Sequence, residues 1–197
     1  MSNRKENKDK VKESPVTYEV YAEMPDDGNR YEILDGELEM MSPGPSTVHQ
    51  GISGKLYLLT QSCAEDYVIF MAPLDIILSR TNVLQPDLVM IHRDRLDIVT
   101  IRGIEGAPDL VVEVLSPSSR KRDKVRKAGI YARHGVPEYW IIDAWARTLE
   151  RYVLSGEHYV IADLFEEGDK VVSDKLPCVS FTVGELLQDP VVRKLLT

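Results

Sequence analysis

The spacing of apolar and polar positions predicts a helix, a hairpin and a second helix in the first third of the chain. Residues 17–24 have the pattern of a short helix that ends at the turn 25–28. Two strand-like runs, 30–34 and 37–41, flank Asp35-Gly36. An Asp-Gly pair between such runs favours a type I′ hairpin, because both central residues of that turn need positive φ.

A second helix is predicted from the residues that follow the hairpin. Ser46 is its candidate N-cap, and the helix is expected to run to about Cys63. Its apolar positions recur at helical spacing, as Val48, Ile52, Leu56 and Leu59.

The second half of the chain alternates strands with one further helix. Residues 123–134 predict that helix, with Val125, Ala128 and Ala132 on one face, and Gly135 with Pro137 supplies its stop. A capping box, Thr182 with Glu185, predicts a last short helix. Strand-like runs cover 67–78, 85–91, 110–115 and 139–142, and 149–154 with 159–164 form a second hairpin.

This order of elements predicts a mixed α/β (α+β) fold. We expect a mixed central sheet flanked by helices, with an N-terminal and a C-terminal hairpin. The length of 197 residues fits one domain, predicted over 17–197, and residues 1–16 read as a disordered basic tail.

Composition favours a cytoplasmic protein. The chain has no apolar run of membrane-spanning length, and its first residues lack the apolar region of a secretory signal. Cys63 and Cys178 lie far apart without metal-ligand spacing, so we interpret them as two reduced thiols, with a single disulfide as the alternative.

Charge is unevenly distributed along the chain. The formal net charge of −8 argues against nucleic-acid binding through overall charge. Yet the segment 120–127 holds six basic residues against one acid, Asp123. The basic residues are Arg120, Lys121, Arg122, Lys124, Arg126 and Lys127. This basic segment is either a solvated helix face or a phosphate-binding surface.

Two acids stand where strands are predicted. Glu113 lies inside the apolar run 110–115, where a carboxylate is costly unless a cation or hydrogen bonds compensate it. Asp87 follows Pro86 at the start of another strand. Because neighbouring strands lie about 4.8 Å apart, Asp87 and Glu113 at matching height could share one divalent cation. A structural salt bridge for Glu113 and a turn role for Asp87 remain alternatives.

Asp109 is the competing acid, since it also follows a proline. It lies four residues before Glu113, which is about 13 Å along the same strand and too far to share an ion. We therefore favour Asp87.

The chain resembles a known family over most of its length. Pro86-Asp87 followed by Glu113-Val114-Leu115 resembles the PD-(D/E)XK nuclease superfamily. Longer stretches resemble the Uma-type restriction endonucleases, and together they cover roughly 18–187: YEILDGELEMMSP, VHQGISGKL, QPDLVMI, PDLVVEVLSPSSRKRDKVRKAGIYARHGVPEYWIIDA and LPCVSF. The resemblance implies a restriction-endonuclease-like fold and an endonuclease that needs Mg²⁺ or Mn²⁺ to hydrolyse DNA, with Asp87 and Glu113 binding the metal.

One departure from the superfamily concerns its lysine, which normally stands two residues after the glutamate. Leu115 occupies that position here. We expect Lys127 of the following helix to replace it, with Lys121 and Lys124 as alternatives, although an exposed helix face would explain Lys127 equally well.

Further residues are assigned to the site with less specific signals. Glu37 resembles an early acid that some members add to the site, or else lies on the hairpin surface. His49 is either a site residue or a histidine that hydrogen-bonds at a helix N-terminus. Arg120 and Arg122 are predicted to bind phosphates.

Three functions follow from this reading. The first is the DNA endonuclease, expected as a homodimer by analogy with nucleases that cut two strands with two subunits. The second, favoured by Leu115 and the net negative charge, is a binding or assembly module with weak or no catalysis. The third is hydrolysis of another phosphodiester, and the choice between DNA and RNA stays open.

Overall fold

The computed structural model describes residues 14–42, 44–117 and 119–197. Most of the predicted tail therefore lies outside the described residues, although Val16 N–H donates to the Gly36 carbonyl at 2.8 Å. The α-helices are α1 (Tyr18–Ala22), α2 (Thr47–Thr60), α3 (Ala128–Arg133), α4 (Val183–Leu186) and α5 (Pro190–Leu195). The described ranges also contain two 3₁₀ segments, Gln61–Cys63 and Arg93–Ile98, and a π-helical segment, Arg122–Lys127.

The strands of the described residues form two larger sheets and one small one. They are β1 (Tyr31–Leu34), β2 (Glu37–Met40), β3 (Tyr67–Met71), β4 (Ile76–Ser79), β5 (Asn82–Leu84), β6 (Leu88–His92), β7 (Val99–Thr100), β8 (Gly103–Ile104), β9 (Leu110–Val114), β10 (Glu138–Asp143), β11 (Thr148–Ser155), β12 (His158–Phe165), β13 (Lys170–Val171) and β14 (Phe181–Thr182). The N-terminal sheet has the order β2-β1-β5-β4-β8-β7, the central sheet has the order β12-β11-β10-β9-β6-β3, and β13 pairs with β14.

The central sheet is mixed, because β9 and β10 are parallel while β6 and β9 are antiparallel. Successive residues of a strand point to opposite faces. On β9, Val112 packs in the same core cluster as Ile52 of α2, whereas Val111 packs in a second cluster with Ile130 of α3. Glu113 follows Val112, so its side chain lies on the α3 face of the sheet.

Several local predictions are confirmed. Asp35 and Gly36 both have positive φ, 52° and 80°, and join β1 to β2. Ser46 caps α2 through a hydrogen bond from His49 N–H at 3.2 Å, and Thr182 and Glu185 form the predicted capping box. The C-terminal hairpin is β11 with β12.

The helix predicted over 123–134 begins with a π-helical segment instead of a regular α-helical turn. The segment Arg122–Lys127 is π-helical, and Ala128 N–H donates to the Asp123 carbonyl five residues earlier. Val125 is predicted to share one face with Ala128 and Ala132, but it is 65% exposed while both alanines are buried, because the wider turn changes which residues face the sheet. Asp123 and Lys127 take the inward positions instead, with 2% and 1% exposure.

The interpretation of two reduced thiols is wrong in this structure. Cys63 and Cys178 form a disulfide, although 115 residues separate them in sequence. The segment around Cys178 lies against the end of α2, where Ser62 Oγ donates to the Cys178 carbonyl at 2.8 Å. Spacing along the chain gave no signal of this proximity.

Candidate active site

Asp87 and Glu113 line the same cavity, which has a volume of about 490 Å³. Their closeness follows from the pairing of β6 with β9, where Leu88 lies opposite Val112. One further step along each strand brings Asp87 level with Glu113. A hydrogen bond from Val114 N–H to Asp87 Oδ2, at 2.7 Å, fixes this end of the pair. The structure thus brings the two predicted acids together at matching height.

Lys127 reaches Glu113 from the π-helical segment. Its Nζ lies 2.9 Å from Glu113 Oε1 and 2.8 Å from Glu32 Oε1. Tyr131, one turn further along, donates its hydroxyl to the same Glu113 oxygen at 3.1 Å. The ammonium group is therefore held between two buried carboxylates and also lines the cavity.

The electrostatics of this cluster keep the lysine charged. Burial alone would lower the pKa of Lys127, but Glu113 and Glu32 outweigh it and raise the pKa above its ordinary value. Burial raises the pKa of Glu113 well above its ordinary value, and Lys127 opposes that shift. Burial also raises the pKa of Asp123, again against the pull of Lys127.

Glu32 is the site residue that the sequence analysis missed. It is fully buried on β1, and its Oε1 also accepts the Gln85 N–H at 2.8 Å. Its Oε2 has no hydrogen-bond partner among the described residues. The signal that identified Glu113, an acid inside an apolar run, was present in Tyr31-Glu32-Ile33-Leu34 as well. The sequence analysis interpreted that run only as a strand of the hairpin around the Asp-Gly turn.

The structure places Glu37 on the hairpin surface, which is the second of its two sequence alternatives, and not in the cavity. The Glu37 side chain is 73% exposed, pairs with Arg126 Nη2 at 2.7 Å and is not among the cavity-lining residues. Glu37 begins β2 on the outer side of the hairpin, whereas Glu32 of β1 faces Lys127. Asp109, rejected on distance, lies at the far end of β9, where its Oδ1 pairs with Arg95 at 2.6 Å.

His49 lies in the first turn of α2 and contacts the site directly. Its Nε2 is 3.1 Å from Asp87 Oδ2, and its Nδ1 is 3.5 Å from Ser53 Oγ. Burial lowers the pKa of His49, but the hydrogen bond and charge of Asp87 outweigh it and leave the pKa raised. Both sequence interpretations of His49 therefore hold, because the residue lies in the first turn of α2 and also hydrogen-bonds a predicted metal ligand.

The basic segment 120–127 divides between the surface and the cavity. Lys124 pairs with Glu150 at 2.5 Å, and Arg120 pairs with Asp143. Lys121 is exposed and does not line the cavity. These positions do not support Lys121 or Lys124 as the replacement lysine, nor Arg120 as a residue inside the cavity.

Arg122 is the predicted phosphate-binding residue that the structure places on the cavity wall. Its Nε has no hydrogen-bond partner among the described residues, and the carboxylate of Asp123 lies 3.7 Å away. The Nε is buried, but the Arg122 side chain is 23% exposed, so the guanidinium group offers a positive charge to an anionic ligand at the cavity wall.

The residues present fit a hard divalent cation with few protein ligands. Asp87 Oδ2 and Glu113 Oε1 accept hydrogen bonds, and no described residue hydrogen-bonds the second oxygen of either acid. Among the described residues no group of three or more His, Cys, Asp or Glu is arranged as a metal site. Mg²⁺ accepts such a sparse set, because it keeps several waters and uses one or two carboxylates together with substrate phosphates.

The fold places the chain in a class of known structures. A crystal structure described as "a putative nuclease belonging to DUF820", from Anabaena variabilis, superposes with a TM-score of 0.72 at 19% sequence identity. The match covers 87% of this chain and 97% of the other. The mixed α/β architecture, with sheets flanked by helices, is therefore that of a nuclease-fold protein.

The family model then gives the membership. Residues 18–184 match the Uma2 family, described as "Putative restriction endonuclease", and the chain belongs to that family. The predicted Uma-type resemblance is confirmed. A comparison with curated proteins found no match. Within the part of the chain that the structure describes, no helix has the length and apolar character needed to cross a membrane.

Proposed function

We propose that the protein is a metal-dependent endonuclease that hydrolyses DNA phosphodiester bonds in this cavity. Family and fold support a nuclease. The observation that carries the finer proposal is the pairing of Asp87 with Glu113 on adjacent strands, with the Lys127 ammonium 2.9 Å from Glu113. One cavity thus contains two carboxylates that can bind a metal ion and an ammonium group that can bind a phosphate.

Asp87 and Glu113 would hold Mg²⁺ or Mn²⁺. The bound ion would neutralise charge on the scissile phosphate and lower the pKa of an attacking water. His49 fixes the orientation of the Asp87 carboxylate by its contact with Oδ2. Tyr131 and Lys127 together fix one oxygen of Glu113. The chain thereby presents both acids in a preset geometry before any ligand binds.

Lys127 and Arg122 are the cations of the basic segment that line the cavity, and we assign both to the substrate phosphates. Lys127 would stabilise the negative charge that develops on the phosphate, a role for which a fixed ammonium group in a buried setting is well suited. Arg122 would attract a neighbouring phosphate through the positive charge of its partly exposed guanidinium group. The acids around them repel a phosphate when no cation is bound, so binding of DNA and of metal should support each other.

Cleavage assays with matched variants test the proposal. The purified protein is incubated with supercoiled, linear and single-stranded DNA in Mg²⁺, Mn²⁺ or EDTA. We expect metal-dependent cleavage that Asp87→Asn and Glu113→Gln abolish, while Glu37→Gln and Asp109→Asn retain it. Cleavage that survives Glu113→Gln, or that persists in EDTA, would overturn the proposal.

A binding or assembly module is the second candidate. Leu115, at the position of the superfamily lysine, is only 5% exposed and packs in the apolar cluster behind the site. Lys127 is already neutralised by two carboxylates, which would suit a purely structural role. Calorimetry separates the candidates, because a module without a metal centre gives no Mg²⁺ or Mn²⁺ binding heat that Asp87→Ala removes.

Two further parts of the proposal need their own measurements. Metal binding without cleavage of DNA or RNA would point to another phosphodiester as substrate. The homodimer, expected so that two strands are cut, predicts a dimer in sedimentation at micromolar concentration, and a monomer there would contradict it.

A further inference from the structure

The cavity has a buried charged floor and an exposed rim. Glu113, Asp123 and Lys127 are each 4% exposed or less. The rim is exposed and carries apolar side chains, namely Pro45, Pro73, Pro117 and Trp145. The largest of these is the indole of Trp145, which is 59% exposed. The other tryptophan, Trp140, is fully buried.

The backbone that carries Trp145 is held firmly. Asp143, the last residue of β10, accepts the Trp145 N–H at 3.2 Å and the Ala146 N–H at 3.1 Å through Oδ1. Its other oxygen accepts a hydrogen bond from Arg120 of the basic segment. Asp143 is 3% exposed, so this anchor is buried while the indole remains open to solvent. A large aromatic ring presented on an anchored turn suits a ligand with a flat apolar face.

The same cavity supplies the remaining groups that a nucleotide requires. Arg122 lines the cavity with a side chain that is 23% exposed, and its positive charge is available to a phosphate. The volume of about 490 Å³ falls in the range of small-molecule sites, about 300–1,000 Å³, and suits one nucleotide rather than a duplex. Bases inside a duplex are stacked on each other, so a protein ring reaches a base face only where the base is unpaired.

We propose that Trp145 stacks on an unpaired nucleobase next to the phosphate held in the cavity, so that single-stranded or locally unpaired DNA is bound in preference to intact duplex. The proposal rests on the proposed function for the identity of the polymer. It assigns to Trp145 a binding and positioning role, since the indole belongs to the rim and not to the acidic floor.

A binding experiment tests the proposal without any need for cleavage. Fluorescently labelled DNA, as a single-stranded oligonucleotide or as a blunt-ended duplex of the same oligonucleotide with its complement, is titrated with protein in Ca²⁺ and followed by anisotropy. In parallel, tryptophan fluorescence is recorded with unlabelled DNA. Because Trp140 is buried, quenching reports on Trp145. We expect the single strand to quench the fluorescence, with Trp145→Ala weakening its binding about tenfold, which corresponds to about 1.4 kcal/mol and lies in the range for stacking of one base.

Variants separate stacking from other effects. Trp145→Phe should keep most of the affinity for the single strand, because a phenyl ring still stacks, while the quenching disappears. Ile161→Ala, which removes another exposed apolar side chain that does not line the cavity, should change nothing. Duplex binding should be weaker and unaffected by Trp145→Ala.

The outcomes also separate this inference from the proposed catalysis. A Trp145 effect confined to single strands supports the inference even if no DNA is cleaved. Duplex cleavage that Trp145→Ala leaves unchanged, together with single-strand binding that is equally unchanged, overturns the inference and leaves the endonuclease standing. Absence of single-strand binding by the wild-type protein also overturns it.

Discussion

Glu113 and Glu138 lie on adjacent parallel strands of the central sheet, and both are buried, yet their surroundings differ. Both oxygens of Glu138 are satisfied. Trp140 Nε1 donates to Oε1 at 2.6 Å and Ser173 Oγ donates to Oε2 at 2.8 Å. Arg151 lies 3.7 Å from the carboxylate and supplies a compensating charge. Glu138 does not line the cavity and has the surroundings of a structural acid.

Glu113 receives both of its hydrogen bonds on one oxygen, from Lys127 and Tyr131, and it lines the cavity. The comparison shows that burial alone does not mark a site acid. A carboxylate whose second oxygen is left uncommitted beside a cavity can accept a ligand, whereas one that is saturated on both sides contributes to the fold. The following changes test this difference.

The largest expected effect is on cleavage. Glu113→Gln should lower the single-turnover rate by at least about 10³-fold, because the loss of metal-supplied stabilisation is worth several kcal/mol. Glu138→Gln should leave the rate per folded molecule within about twofold. Equal losses of rate in the two variants would remove the distinction between the two acids.

Lys127→Met should be the most destabilising single change in the cluster. It leaves Glu32 and Glu113 buried without their cation, which costs roughly 3–5 kcal/mol in the free energy of unfolding. Urea denaturation measures the loss. Adding Glu32→Gln should recover part of the stability without restoring cleavage. Lys124→Met removes a partly exposed ion pair with Glu150 and should cost no more than about 1 kcal/mol.

Glu138→Gln should be costly for stability rather than for activity. The substitution replaces one carboxylate oxygen with an amide NH₂ group, which then lies opposite another donor, the Trp140 N–H or the Ser173 hydroxyl. Such a mismatch lowers the free energy of unfolding by about 1–3 kcal/mol. Thermal unfolding should show it as a fall of about 2–12 °C in Tm. Glu157→Gln, at an exposed position of the β11–β12 turn, provides a control that should leave Tm unchanged.

The smallest effect concerns pH. Because burial raises the pKa of Glu113, a proton competes with the metal at pH values above the ordinary range of glutamate. Metal affinity should therefore rise as the pH increases, and binding should release protons. Calorimetry in buffers of different ionisation enthalpy measures that release. The proton release should fall in Glu113→Gln, where His49 beside Asp87 is a remaining group with a raised pKa, and it should persist in full in Glu138→Gln. A pH-independent affinity in the wild type would contradict the assignment.

Much of the local structure could be predicted because it depends on neighbours in sequence. The Asp35-Gly36 turn, the Ser46 cap and the Thr182 capping box are of this kind. The height match of Asp87 and Glu113 was predicted from strand geometry, while Lys127 was chosen only with the help of the family resemblance.

The failures have physical causes of another kind. The site role of Glu32 depends on which elements cover each face of β1, and the Cys63–Cys178 disulfide depends on how the C-terminal segment packs on α2. Chain patterns do not encode these contacts directly. The π-helical geometry of Arg122–Lys127 also escaped prediction, since the spacing of apolar residues there suits an ordinary helix equally well.

That wider turn makes the number of residues in the segment as important as their identity. Shortening it by one position would restore regular winding, in which each residue turns the next by about 100°. Everything downstream would then rotate, and the ammonium group would leave its two carboxylates although every charged residue was still present. An insertion or deletion in this segment would therefore disrupt the site even in a chain that keeps all of the site residues.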